Sequence, residues 1–403
     1  MANRIKAHSG RWLAAVAGAV LLGLFNPWLQ TRSWPAAAPV LMDDLDPDSL
    51  RQAARHSLKY LERLPPDRVV GERPRRFTAR EVAESLLAFE KLLDHWRCRE
   101  CWMREINARF EVIPSSADLD TKPVLFTGYY QPVLQASLAP TAEYAYPIYG
   151  KPADLIVAEQ VTLAPNATSK KITGRLQGEN LAPYYSRRDI DELGSLRGKG
   201  YEIAWVKDPI ELFFLHVQGS GILQLEDGRR LHVGYAAGNG RSYRSIGRLL
   251  IDSGKVAKEE MSMQRLKRYL MDHPSERNEI LAHNESYVFF RFVSRGPLGH
   301  LEVPLTPGRS IAADARLFPK GALAFVSTQR PIVDAAGELT GWQPFSRFVL
   351  NQDTGSAILG PQRIDIYFGS GAQAGAAAGL MNRSGKLYFL SVKKPAGSRQ
   401  PGK

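Results

Sequence analysis

Three aspartates, Asp314, Asp353 and Asp365, are the residues of this chain whose surroundings most suggest chemistry. Asp353 and Asp365 share the stretch "FVLNQDTGSAILGPQRIDIYFGSG" (348–371), which reads as strand, turn, strand and holds no glutamate or lysine. Asp314 stands in "SIAADARLFPKGALAFV", where Pro319, Lys320 and Gly321 mark a turn into a further strand. Aspartate is disfavoured in strands, and a buried one must be hydrogen-bonded or serve a purpose. The plainer reading, a carboxylate that faces solvent or caps a turn, weakens when three such residues fall in one β-rich region. Asp365 lies between Ile364 and Ile366, and apolar neighbours disfavour the ionised form and raise the pKa. A second carboxylate nearby would raise it further, whereas Arg363 would lower it. An acid still protonated at about pH 6–7 can donate to a leaving oxygen, so carboxylate-driven glycan cleavage is the chemistry this constellation suits.

Other chemistries lack their signatures. There is no G-x-S-x-G elbow, no G-x-x-x-x-G-K-[ST] loop, no H-E-x-x-H and no G-x-G-x-x-G after a strand. The eight histidines are scattered, and His216 and His232 read as strand residues rather than ligands. The two cysteines, Cys98 and Cys101, lie in "HWRCRECW". They read as a local disulfide or two inert thiols; with His95 they give H-x-x-C-x-x-C, a weak metal pattern with no second cluster. No metal or other cofactor is expected.

The elements that must hold these residues change character along the chain. Residues 47–112 carry helical periodicity. "DPDSLRQAARHSLKYLERL" opens at Asp46 and Asp48, and "TAREVAESLLAFEKLLDHW" opens at Thr78 with capping-box spacing to Glu81. Beyond residue 112 short β-branched and aromatic runs are bounded by Gly, Pro or Asp-Gly, with "LEDGRRL" (225–231) a hairpin signal. Helical patterns interrupt at 187–196, 241–253 and 260–272, and after "MDHP" strands are expected to about 392. The tail from 393 is basic and rich in Pro and Gly. Across 403 residues, 44% apolar and 23% charged, the chain is long enough for two domains with a sizeable core.

The formal charge of +12 suits an anionic partner surface, such as nucleic acid, lipid headgroups or an acidic polysaccharide. No helix-turn-helix, zinc-finger or RNP-like signal supports nucleic acid. "MANRIKAHSGRWLAAVAGAVLLGLFNPW" has a basic head and an apolar run from Trp12 to Phe25, short for a membrane span and of signal-peptide length. The A-x-A at Ala36 and Ala38 lies far from that run, so residues 12–28 are expected to export the chain and to serve either as a retained anchor or as a cleaved signal. No cysteine there supports a lipid-modified N-terminus.

Seven segments in order, "FTGYYQPVL", "APYYSRRDI", "FFLHVQGSGILQLEDG", "VGYAAGNGRSYRSIGRLLIDSG", "SYVFFR", "IAADARLFPKG" and "QDTGSAILGPQRIDIYFGSG", resemble the MltA family. These are membrane-bound lytic murein transglycosylases of Gram-negative bacteria, and the last two segments also resemble the three-aspartate (3D) domain of other wall-active proteins. The resemblance spans about 105–392. It implies a mainly β fold with N-terminal helices: a double-psi β-barrel domain, a smaller β-domain inserted in it, and a substrate groove between them. The corresponding division is 1–40 signal or anchor and linker, 41–135 helices and first part of the barrel, 136–270 inserted domain, 271–392 second part of the barrel, and 393–403 tail.

By the same resemblance Asp365 is the catalytic aspartate, with Asp353 and Asp314 as its companions. Thr127, Tyr129 and Tyr130 of "TGYY" and Gln218 and Ser220 of "VQGSG" are the side chains expected to bind sugar; half-buried strand tyrosines are the plainer alternative. The implied reaction cleaves the β-1,4 bond between N-acetylmuramic acid and N-acetylglucosamine, exo-acting, and leaves 1,6-anhydromuramoyl ends. The competing readings are a water-using peptidoglycan hydrolase and an inactive peptidoglycan-binding scaffold. Partners would be glycan strands, and cell-wall synthases or endopeptidases, in the periplasm. The family's outer-membrane lipid anchor is not expected here, because the lipidated cysteine is missing.

Overall fold

A computed structural model of the chain describes residues 39–116, 122–160 and 170–394, whose elements belong to one compact unit spanning Leu41–Lys403. The apolar segment at 12–28 and most of the basic tail lie outside the described residues. Among the described residues no helix is long and apolar enough to cross a membrane.

The expected N-terminal helices form at Pro47–Leu61 and Ala79–Leu92, followed by Arg99–Arg109. The Asp46 carboxylate accepts from the N–H groups of Asp48 and Ser49, and Leu50, Ala53, Ala54 and Leu61 are buried on one face. Thr78 accepts from the Glu81 N–H, but the reciprocal half of the capping box is missing. Glu81 turns away because its carboxylate accepts from Arg75 and from Ser391 Oγ, which ties the helix to the last strand. Phe89 then packs on Phe348 with ring centroids 5.0 Å apart. Cys98 and Cys101 are bonded to each other as a disulfide, which removes the metal reading of His95-x-x-Cys98-x-x-Cys101.

The helices lie against a closed β-barrel. Its strands run around the barrel in the order Leu323–Val333, Leu339–Asp353, Ser310–Ala312, Arg363–Ser370, Val124–Gln131 and Asn382–Val392, the last pairing back to the first. Closure leaves no sheet edge among the six. Two of the pairings are parallel: Ser310–Ala312 with Leu339–Asp353, and Arg363–Ser370 with Val124–Gln131. Phe126, Ile311, Phe325, Phe348, Ile364, Ile366 and Phe389 fill the core, so alternate residues of the Arg363 strand are directed away from it.

The Val124–Gln131 strand passes through Pro132 into Val133–Ser137, a member of a second, six-stranded sheet. In that sheet Ser220–Leu225 and Arg230–Gly238 form the hairpin that "LEDGRRL" signals, with Asp227 accepting from the Arg229 N–H and Gly228 at φ 85°. A three-stranded sheet, Ile156–Gln160, Lys170–Gln177 and Asn180–Pro183, completes this half of the unit.

Three strand expectations are corrected. Pro209–Gln218 is a helix, so His216 is a buried helix residue rather than a strand residue. Its signals are local: Asp208 accepts from the Ile210 N–H, Pro209 starts the helix, and Gly219 ends it in the left-handed region. The run "IELFFLHV" is apolar on most sides because the helix is largely buried, and periodicity cannot separate such a run from a buried strand. Pro274–His283 and Ala372–Leu380 are also helices. The first begins at Pro274, since a proline that ends one helix also suits the first turn of the next, and the second is too rich in alanine and glycine to show an amphipathic period.

Candidate active site

Asp365 sits third in the Arg363–Ser370 strand, where its neighbours Ile364 and Ile366 are fully buried in the barrel core. In the parallel pairing Asp365 stands opposite Thr127 and Tyr367 opposite Tyr129; on the other side Asp365 pairs with Ala312. Arg363, Asp365 and Tyr367 therefore share one face with Thr127 and Tyr129. The Tyr129 and Tyr367 rings meet at 5.3 Å.

This face holds four buried polar atoms that make no hydrogen bond among the described residues: Asp365 Oδ1, Thr127 Oγ1, the Tyr129 hydroxyl and Arg363 Nε. Native interiors satisfy nearly all such groups, so four together mark a place where the fold has left polar atoms for something else. The Asp365 side chain is partly reachable from solvent while its Oδ1 is sealed.

Asp353 ends the Leu339–Asp353 strand at the Ser310–Ala312 side, where its carbonyl accepts from the Ala313 N–H. Its Oδ1 accepts from the N–H groups of Thr354 and His300, both at 2.9 Å. The Tyr129 hydroxyl faces this carboxyl without closing a well-formed hydrogen bond.

The two carboxyls are held at unusual acidities. Burial pushes Asp365 up to about 7; the Arg363 charge opposes this and the Asp353 charge adds to it. Burial raises Asp353 to about 6, and the two backbone N–H groups limit the rise. Tyr129 is pushed well above its ordinary value, by burial first and then by Asp353, and so stays a neutral donor. The arrangement thus offers one protonated and one more readily ionised carboxyl on a shared wall, which is what acid catalysis beside a developing cation needs.

Asp314 is placed differently. Its carboxylate is claimed by the Arg316 guanidinium at 2.6 Å and by the N–H groups of Arg316 and Gly360. These hold its pKa down at about 2, with the Arg316 hydrogen bond the main cause. It pins the loop after Asp353 rather than joining the other two.

The five sugar-binding candidates also divide. Thr127 and Tyr129 stand with Asp365. Tyr130 is buried with its ring packed against Gly375, and its N–H donates to Gln218 Oε1 at 3.0 Å. Tyr130 and Gln218 therefore join the barrel to the helix Pro209–Gln218. Ser220 begins its strand, half-buried, in register with Gly234. Tyr243, which the sequence reading passed over, lies in the loop before the helix Ile246–Asp252; its hydroxyl is pushed up by burial, drawn down by Arg363 and raised by Asp365. Only the sheets' mutual placement brings it there, and no local motif signals that. Among the described residues no group of three or more His, Cys, Asp or Glu side chains could hold a metal ion.

Residues 125–291 match the model of the MltA specific insert domain, and residues 309–391 match that of the 3D domain. The chain is 37% identical over 278 residues to the membrane-bound lytic murein transglycosylase A of Escherichia coli K12, a match covering 68% of this chain and 67% of that protein. It is similar to the crystal structure of a membrane-bound lytic murein transglycosylase from Agrobacterium tumefaciens, with a TM-score of 0.72 and 34% identity over 86% of this chain and 93% of that one. The structure of E. coli MltA with bound chitohexaose compares at a TM-score of 0.68 and 29% identity, over 90% and 93% of the two chains. With this barrel, these two matching domains and relatives at this identity, the chain belongs to the MltA family and carries its 3D domain.

Proposed function

We propose that this protein is a lytic transglycosylase that cleaves the β-1,4 bond between N-acetylmuramic acid and N-acetylglucosamine in peptidoglycan, with Asp365 as both acid and base. The observation that carries the reading is the Asp365 carboxyl: raised to about 7, with one oxygen unpartnered among the described residues, on the face it shares with Thr127 and Tyr129. The names of the relatives and the chitohexaose bound to one of them support a glycan substrate.

Protonated Asp365 donates to the glycosidic oxygen as the C1–O bond breaks, which frees the 4-hydroxyl of the departing N-acetylglucosamine. The muramoyl C6 oxygen then bonds to C1, and its proton passes to the Asp365 carboxylate. The product end is a 1,6-anhydromuramoyl unit, no water is consumed, and the enzyme regains its starting proton. Positive charge builds on the sugar during bond cleavage, and ionised Asp353 on the same wall stabilises it. The Tyr129 hydroxyl and Thr127 Oγ1 are assigned to orient the sugar, while Asp314 shapes the loop beside it. Tyr130 and Gln218 hold the barrel to the helix Pro209–Gln218 beside the site, and Ser220 is assigned to the approach rather than the reacting centre.

In this reading the barrel is a double-psi barrel formed on both sides of an inserted β-domain, and the glycan lies in a groove between the two with Tyr243 on the far wall. Residues 12–28 direct export to the periplasm, and synthases or endopeptidases of the wall are the expected protein partners. Mass spectrometry of peptidoglycan digested by residues 40–403 tests the reaction. Products one water lighter than those of a lysozyme digest, absent with Asp365→Asn, are expected. Hydrated products would instead assign a hydrolase, and intact glycan that remains bound would assign a scaffold.

A further inference from the structure

Arg363 opens the Arg363–Ser370 strand two residues before Asp365, on the same face, which places their Cα atoms ~7 Å apart. Arg363 is half-buried, whereas the fully buried arginines of this fold have carboxylates of their own: Arg309 with Asp43, Arg347 with Asp44, Arg187 with Asp191. Arg363 has none within ion-pair distance among the described residues, and its buried Nε–H donates to nothing there. A buried donor left unmade is costly, so a fold tolerates it where a ligand completes it. Its charge lies near the site, where it draws down the pKa of both the Asp365 carboxyl and the Tyr243 hydroxyl.

A guanidinium so placed takes a planar group with oxygen acceptors, held beside the sugar whose C1 reacts. The two sugars of peptidoglycan differ in one such group. The muramoyl unit carries a 3-O-lactyl ether ending in a carboxyl group, free or amide-linked to a stem peptide, where N-acetylglucosamine has only a hydroxyl. We propose that Arg363 recognises the carboxyl-derived oxygens of the lactyl group on the muramoyl residue seated at Asp365, and so lets the site tell muramoyl from N-acetylglucosaminyl units. This rests on the transglycosylase reading given above and names the substrate feature it selects.

The test is binding without turnover, by calorimetry on the full chain carrying Asp365→Asn. The probes are chitohexaose and a hexasaccharide of alternating N-acetylglucosamine and N-acetylmuramic acid, prepared with and without stem peptides. Because a hydrogen bond to a charged donor is worth at least tenfold in affinity, the muramoyl ligand should bind about tenfold tighter than chitohexaose. Adding Arg363→Gln should bring that ratio to about one and leave chitohexaose affinity within about twofold. A larger loss on stem-free strands identifies a free carboxylate as the contact, and an equal loss on both identifies the carbonyl oxygen; either supports the proposal. If Arg363→Gln also abolishes chitohexaose binding, the ratio is read from Arg363→Met, which keeps the packing of the side-chain stem. A ratio unchanged by loss of the guanidinium overturns the proposal. Failure of the transglycosylase reading is seen separately, as a wild-type digest without 1,6-anhydro ends.

Discussion

Asp365 and Thr127 face each other across a parallel strand pairing, and each presents a buried oxygen that no described residue hydrogen-bonds. A stabilising role for either oxygen would require a partner within the fold. Thr127→Val keeps the side-chain shape and removes the hydroxyl. Since no hydrogen bond is lost, thermal unfolding should show Tm unchanged or slightly raised. Turnover should fall about tenfold if the hydroxyl orients substrate, a loss of ~1.4 kcal/mol in transition-state binding. A fall in Tm with normal turnover would make Thr127 a packing residue.

Asp365→Asn should reduce kcat by about 10²–10⁴-fold with little change in KM, because the amide can neither give nor take the proton. The same change should stabilise the protein. A carboxyl whose folded pKa is about 7 binds its proton more tightly in the folded than in the unfolded chain. Wild-type stability is therefore lost as pH rises from about 4, the unfolded carboxyl pKa, to about 7. Urea denaturation should show the variant gaining on wild type by up to about 4 kcal/mol at pH 8 and by nothing near pH 4.

The pH dependence of turnover should be bell-shaped. On the proposed mechanism turnover requires Asp353 ionised and Asp365 protonated, so it should rise through about pH 6 and fall through about pH 7. The two limbs report the pair, since the charges interact. Asp353→Asn removes a negative charge that holds Asp365 up, so in that variant the alkaline limb should move to lower pH. An unmoved alkaline limb would mean that another group sets it.

The sequence disclosed the apolar surroundings and raised pKa of Asp365, because Ile364-Asp365-Ile366 is a local pattern that dictates both. It disclosed the two long helices for the same reason: Asp46 and Thr78 cap them within a few residues. What it could not carry were facts set by distant segments. Asp314 looks like Asp353 in sequence, yet Arg316 and Gly360 occupy its carboxylate. Tyr130 and Gln218 look like sugar-binding side chains, yet one buries its ring and the other holds that residue's N–H. Arg363 drew notice only as a neighbour of Asp365, because its want of a partner is visible only once every strand is placed.

Behind the site, Arg309 anchors the strand that pairs with Asp365. It is wholly buried and donates to Asp43, to Ser49 Oγ and to the carbonyls of Asp46 and Phe348, which straps the start of the first helix to the barrel. Burial raises the Asp43 pKa, and the Arg309 charge is the largest opposing influence. Arg309→Met should therefore cost about 3–5 kcal/mol, most of it from stranding the Asp43 charge. With its counter-ion gone Asp43 is held still higher, so the variant should lose further stability as pH rises above about 4, the unfolded carboxyl value. Protonating Asp43 at low pH should recover part of the loss. The double variant Arg309→Met with Asp43→Leu should recover most of it at any pH, because a buried pair replaced by apolar groups of similar volume is often neutral. Urea unfolding of the three proteins at pH 4.5 and 8 separates the cost of the stranded charge from that of the lost strap: a double variant as unstable as the single one would show that the hydrogen bonds to Ser49, Asp46 and Phe348 hold the helix to the barrel.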